Sequence, residues 1–174
     1  MKTLVIVAHP DIEKSVINRR WLEELKKHPE NYTVHNLYQA YPDCRIDVKK
    51  EQELVESHGG LVLQFPIYWF SCPPLLKAWL DQVLTHGWAY GGGDKLKGRK
   101  TAIAVTAGIS KEDYRETGKY RCTLEQLLLP FETVFLYVQA NPPAFFAFYG
   151  AEDQQSLKLV EKSAQNYLTF LNNL

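Results

Sequence analysis

Residues 61–84 read LVLQFPIYWFSCPPLLKAWLDQVL, and the architecture follows from the order of patterns inside them. Leu61 to Phe65 is a short, mostly apolar run entered from Gly59 and Gly60, as expected of a strand covered on both faces of a sheet. Pro66 opens a loop with three adjacent aromatics, Tyr68, Trp69 and Phe70, and Pro73 and Pro74 follow it. Proline is tolerated in the first turn of a helix, where its missing N–H has no partner to lose, so a helix begins there. Leu75, Leu76, Trp79, Leu80, Val83 and Leu84 give that helix a broad apolar face, suited to burial on a sheet or at a subunit contact.

The same alternation of short apolar runs and helical periods extends in both directions. Thr3 to Ala8 is a continuous β-branched and apolar run, the first strand. From Ser15 to Lys27, Ile17, Trp21 and Leu25 recur at four-residue spacing with Leu22 beside them, which makes an amphipathic helix. Tyr32 to Leu37 gives a second strand, Tyr41-Pro42-Asp43 a turn, and Asp47 to Ser57 a peripheral helix on Val48, Leu54 and Val55. A glycine-rich loop, Gly87 to Gly98, leads to a fourth strand at Thr101 to Thr106. Gly108 to Tyr120 is polar and aperiodic, and loops of that length inside compact domains usually carry function. Thr123 and Gln126 fit a capping box opening a helix that Pro130 must kink or end, and the fifth strand is expected within Thr133 to Gln139. The last helix, about Asp153 to Leu171, carries Leu157, Val160, Ala164, Tyr167, Leu168 and Leu171 on one stripe.

Five strands alternating with five helices, short connections and right-handed crossovers imply an α/β doubly wound parallel sheet with helices on both faces. Five strands suit the flavodoxin-like order 2-1-3-4-5. Residues 1–174 are expected to form a single domain, without repeats.

Composition excludes several classes. Twenty Lys plus Arg balance twenty Asp plus Glu, so no field gathers nucleic acid or anionic lipid. The N-terminal apolar run, Leu4 to Ala8, is too short for a signal peptide or membrane span. Cys44, Cys72 and Cys122 are an odd set with no CxxC pair and no zinc-like spacing to histidine. They point to a cytoplasmic protein without disulfides or a metal, each cysteine a small, half-buried filler.

In an open parallel sheet the ligand sits beyond the carboxyl ends of the strands, where strand order reverses. Three loops converge there: His9 to Lys14, Pro66 to Cys72, and Ala107 to Tyr120. Ser15, Val16, Ile17 and Asn18 begin the first helix, whose unpaired N–H groups and positive dipole end suit a phosphate; alternatively Ser15 is simply a cap and His9 a strand-end residue. No GxGxxG or GxxxxGK[ST] is present. Three consecutive aromatics cannot all turn into the core from a loop, so some face the crevice and favour a flat ligand. Thr106, Ala107 and Gly108 supply a hydroxyl and close-approach backbone, and Tyr114 and Tyr120 polar tips. Phosphate seat, aromatic slot and polar rim together describe a flavin mononucleotide. Lys14, Arg19 and Arg20 read as solvated helix charges, leaving no clear clamp for a 2′-phosphate.

Four segments carry a family resemblance: AHPDIEKSVIN at 8–18, QFPIYWFSCPPLLKAWLDQVL at 64–84, GWAYG at 87–91 and NPPAFFAFYG at 141–150. They resemble the NAD(P)H:quinone oxidoreductases of flavodoxin-like fold, the DT-diaphorase or modulator-of-drug-activity group. The likeness is greatest to short bacterial members of the general stress protein 14 type, then to ancillary subunits of glutathione-gated potassium efflux systems.

The resemblance implies a bound flavin, FMN rather than FAD given the short chain, that takes hydride from NAD(P)H and passes two electrons to a quinone or similar acceptor in ping-pong fashion. By position it places His9, Ser15, Val16 and Asn18 at the phosphate end, Pro66, Ile67, Tyr68, Trp69 and Phe70 along the isoalloxazine, and Thr106, Ala107 and Gly108 at its pyrimidine edge. Tyr114 takes the place of a tyrosine that assists hydride transfer, while Tyr120 stands where the family has a histidine. Phe70, Trp88, Tyr120 and Tyr149 are the expected walls of the substrate pocket. A homodimer is expected from the broad face of the helix after Pro74 and from the aromatic Pro142–Tyr149 stretch. The alternative implied by the efflux subunits is a redox-linked regulatory role with a membrane potassium-efflux protein as partner.

Overall fold

The computed structural model describes residues 1–174. Five parallel strands, β1 (Thr3–Val7), β2 (Tyr32–Asn36), β3 (Gly60–Pro66), β4 (Lys100–Thr106) and β5 (Ala144–Phe148), form one sheet in the order 2-1-3-4-5. The helices are α1 (Val16–Leu25), α2 (Leu37–Ala40), α3 (Val48–Glu56), α4 (Pro74–Val83), α5 (Leu124–Leu127), α6 (Leu129–Tyr137) and α7 (Leu157–Asn172). Every residue of β3 is buried, Gln64 included, because both faces of the strand are covered. On one face α1 and α7 pack around Trp21 and Tyr167; on the other, α3, α4 and α6 enclose Leu63, Phe65, Trp79 and Phe135. No helix is long and apolar enough to cross a membrane.

The fifth strand lies elsewhere than expected. Thr133 to Gln139 belongs mostly to α6, and the strand is Ala144–Phe148. Leu129–Tyr137 is apolar apart from Glu132 and Thr133, and a run so rich in apolar residues does not declare its own period. Pro130 sits in the first turn of α6 and so starts that helix, while the capping box of Thr123 and Gln126 opens only the short α5. Phe131 and Phe135, one helical turn apart, are both buried, and Phe131 packs on Phe65 at 5.2 Å between ring centroids. The Pro142–Tyr149 stretch, expected at a subunit contact, supplies β5, hydrogen-bonded along β4 from Ala102 to Thr106.

Two smaller expectations also change. Cys44 is exposed rather than half-buried, in a left-handed conformation (φ 60°). Arg20 is no solvated charge: its side chain is largely buried and its guanidinium pairs with Glu24 and Glu161, tying α1 to α7.

A fully buried carboxylate holds the other face. Glu51 of α3 accepts hydrogen bonds from Tyr41 Oη (2.5 Å), Trp79 Nε1 (2.8 Å) and His35 Nε2 (2.8 Å), so one side chain joins β2, the turn after α2, α3 and α4. Burial by itself would raise the Glu51 pKa; the hydrogen bonds from His35, Tyr41 and Trp79 outweigh it and hold the carboxyl below its ordinary value. Replacing Glu51 by Ala strands three donors, so a loss of about 3–5 kcal/mol in urea denaturation is expected, with a smaller loss for Glu51→Gln. A change under about 1 kcal/mol for Glu51→Ala would show that the carboxylate is not structurally required.

Candidate functional site

The loops after β1, β3 and β4 meet at the carboxyl end of the sheet around a crevice of about 350 Å³, lined by His9, Ser15, Val16, Pro66, Tyr68, Thr106, Gly108 and Glu152 among others. Strand order reverses between β1 and β3, which leaves the helices that follow them on opposite faces and opens the gap.

One end of the crevice is the N-terminus of α1. Ser15 caps it, accepting from Asn18 N–H at 3.2 Å, and the N–H groups of Val16 and Ile17 have no helical carbonyl to meet. The Ser15 hydroxyl proton is left to donate outward. His9 Nδ1 accepts from Asp11 N–H at 3.1 Å, which fixes the neutral ring with its proton on Nε2. Burial lowers the His9 pKa and outweighs the opposing charge of Asp11, itself paired with Lys14 at 2.6 Å. Neutral donors, helix dipole and backbone N–H groups make this end an anion seat without a bound cation.

The other end is a tight turn. Tyr68 N–H donates to Ser71 C=O (3.1 Å) and Ser71 N–H to Tyr68 C=O (2.9 Å), leaving Trp69 and Phe70 at the corner with φ of 47° and 60°. Positive φ at both central positions is the signature of the turn that normally takes Asn-Gly. Bulky side chains there cost about 1–2 kcal/mol each, and Trp69 is 95% exposed, so packing does not repay that strain. Strain held without a folding gain points to use of the rings at the surface. Beyond the corner runs a ladder of rings: Phe70 to Tyr120 (5.1 Å), Tyr120 to Tyr114 (5.5 Å) and Tyr114 to Tyr149 (6.0 Å). Burial raises the phenol pKa of Tyr114 and pushes that of Tyr149 up to about 12, so both stay protonated at neutral pH.

Thr106 stands between the two ends. Its carbonyl accepts from Ile67 N–H at 2.8 Å and its Oγ1 from Asn18 Nδ2 at 2.8 Å. Asn18 was expected to reach a ligand's phosphate, yet it is 1% exposed and its amide is spent on Thr106, Ser15 and Gln64. It positions the seat from behind. Ala107 is likewise fully buried, so only its backbone serves the loop. Trp88 is not a wall of this crevice: it is buried under the sheet and donates through Nε1 to Glu56 at 2.7 Å, near the end where β3 and β4 begin. The sequence reading missed Glu152, which follows the Tyr149–Gly150 corner and returns over Gly108; no local pattern marks a residue brought back by a turn.

The family described as having a flavodoxin-like fold matches residues 1–171. The uncharacterized NAD(P)H oxidoreductase YrkL of Bacillus subtilis is 45% identical over 172 residues, covering 98% of each chain. The glutathione-regulated potassium-efflux system ancillary protein KefG of Cronobacter sakazakii is 45% identical over 132 residues, 75% of this chain and 71% of that one. Among solved structures, the general stress protein 14 of Treponema denticola in complex with FMN superposes with a TM-score of 0.94 at 47% identity, over 99% of each chain.

Two outcomes follow from the geometry. His9 titrates below 6.5 and, by nitrogen-detected NMR, carries its neutral proton on Nε2; a pKa above 6.5 would contradict the buried, singly accepting ring. Replacing Trp69-Phe70 by Asn-Gly relieves the corner and raises unfolding stability by about 1–3 kcal/mol in denaturant titration.

Proposed function

The chain belongs to the flavodoxin-like fold family, and from that premise and the crevice we propose that it is an FMN-dependent NAD(P)H:quinone oxidoreductase. The observation that carries the reading is the crevice that joins the α1 N-terminus, with its free N–H groups, to the base of the strained aromatic turn at Pro66, Ile67 and Tyr68, whose corner is Trp69 and Phe70. The residues present fit FMN: an anion seat without lysine clamps, a close-approach glycine at 108, and flat rings at the far end. The FMN of the Treponema relative supports the same choice.

FMN supplies the redox chemistry, accepting hydride from NAD(P)H and giving two electrons to the acceptor. The chain's part is to seat and orient. Ser15 Oγ, the N–H groups of Val16 and Ile17, and His9 Nε2–H would hold the phosphate, and the Pro66–Phe70 turn would support the ring system. The ladder of Phe70, Tyr120 and Tyr149 would wall the space for a flat quinone or nicotinamide, and Tyr114 within it keeps its phenol proton through neutral pH.

The protomer pairs with a second copy. The outer residues of α6, Leu129, Leu136 and Tyr137, are exposed, and Tyr137 lines a hollow with Leu80 and Leu84. Similarity to KefG favours a second reading, a regulatory subunit docked on a membrane potassium-efflux protein. A transport assay separates the two: loss of efflux control with quinone reduction intact would favour regulation.

Purified protein is expected to be yellow, to release FMN on denaturation, to lose its yellow colour when NAD(P)H is added without oxygen, and to turn NAD(P)H over when a quinone is supplied. A colourless protein that neither binds added FMN nor oxidises NAD(P)H would end this reading. Trp69→Ala should lower FMN affinity about tenfold or more while leaving the melting temperature nearly unchanged, because the ring is exposed and stacking on an aromatic ligand is what it loses.

A further inference from the structure

Acceptors are scarce among the side chains that line the crevice. Ser15 Oγ already accepts from the Asn18 N–H (3.2 Å) and amide (3.3 Å), and Thr106 Oγ1 from the Asn18 amide (2.8 Å). The Asp11 carboxylate is bridged to Lys14 at 2.6 Å, and His9 Nδ1 accepts from Asp11 N–H. Tyr68 brings a phenol, which donates as well as accepts. Glu152 alone lines the crevice with a carboxylate that has neither ion pair nor hydrogen bond.

Its position is set by backbone. Gly150 N–H donates to Ile109 C=O (2.9 Å), Ala151 N–H to Ala107 C=O (2.9 Å) and Glu152 N–H to Gly108 C=O (3.2 Å), so residues 150–152 are laced along the loop after β4. The Glu152 side chain lies across Gly108, and any Cβ at 108 would collide with its Oε1. Gly108 follows Thr106, which touches the α1 end through Asn18 and the aromatic turn through Ile67. The free carboxylate therefore lies on the crevice wall at Gly108, two residues beyond Thr106, which joins the anion seat to the aromatic turn.

A ligand with phosphate at one end and a flat ring at the other presents its connecting chain there. In FMN that chain is a polyol whose hydroxyl groups need acceptors. We infer that Glu152 is the ribityl-recognising residue of this chain, accepting hydrogen bonds from those hydroxyls. The inference rests on the FMN reading above and adds to it the residue that reads the sugar-alcohol segment.

Binding of FMN, riboflavin and lumiflavin to the wild type, Glu152→Ala and Glu152→Gln, followed by flavin fluorescence, tests it. Riboflavin lacks the phosphate and lumiflavin lacks both phosphate and ribityl chain. Glu152→Ala should weaken FMN and riboflavin by the same factor, about tenfold for hydrogen bonds to a charged acceptor, and leave lumiflavin unchanged. Glu152→Gln, which keeps a carbonyl oxygen, should fall between. Glu152 is exposed, so both variants should fold, with circular dichroism as the check. Tighter FMN binding by Glu152→Ala with riboflavin unaffected would mean that the carboxylate only opposes the phosphate, and would overturn the inference. So would equal affinities for all three proteins, or an equal loss for lumiflavin. A wild type that binds none of the flavins would overturn the FMN reading itself, which distinguishes that failure from a failure of the role given to Glu152.

Discussion

Gln64 puts a polar amide in the middle of the most deeply buried strand, and much of the site depends on how that amide is satisfied. Tyr167 of α7 donates its hydroxyl to Gln64 Oε1 at 3.1 Å, and Gln64 Nε2 donates to Asn18 Oδ1 of α1 at 3.2 Å. The Asn18 amide passes the chain on to Thr106 at the end of β4 and to the Ser15 cap. An unmet amide at that depth would cost about 1–3 kcal/mol, so the four elements are held in one relative position. The N-terminus of α1 is thereby aimed at the end of β4 instead of merely lying on the sheet. Burial of the Tyr167 phenol raises its pKa, which keeps it a donor throughout the neutral range.

Against that rigid half stands a strained one. The corner at Trp69 and Phe70 takes the least suitable residues for its backbone and leaves the larger ring in solvent. Proteins keep such arrangements where the surrounding structure over-determines them, and here the paired hydrogen bonds of Tyr68 with Ser71 and the proline-started α4 leave the corner little freedom. A preorganised phosphate end and a preorganised ring platform would lower the ordering cost of binding a long, flexible cofactor.

Charge at the site is local and small. Asp11 and Lys14 cancel, His9 is kept neutral by burial, and Glu152 is the one carboxylate left open. A neutral protein with such a crevice gains little from long-range steering, which suits small diffusible acceptors better than a charged protein partner docked through this mouth.

The runs of residues 3–8, 61–65 and 101–106, the proline-started helix and the Ser15 cap could be read directly, because each is a local pattern with a local physical cause. From them came the parallel sheet, its strand order and the three loops at the crevice. The fifth strand could not be read: LPFETVFLY and AFFAF are both rich in apolar residues, and packing of Phe131 and Phe135 made the first a helix and left the second to pair with β4. Nor could the partners of side chains remote in sequence. Asn18 became a support, Trp88 a core residue bound to Glu56, Arg20 a buried tie, and Glu152 a member of the crevice. Sequence alone determined the architecture and the place of the site, since hydrophobic period and backbone chemistry act over a few residues. Which side chains face a ligand was decided only in the tertiary structure, because every buried polar group takes whichever partner the packed chain brings within hydrogen-bonding reach.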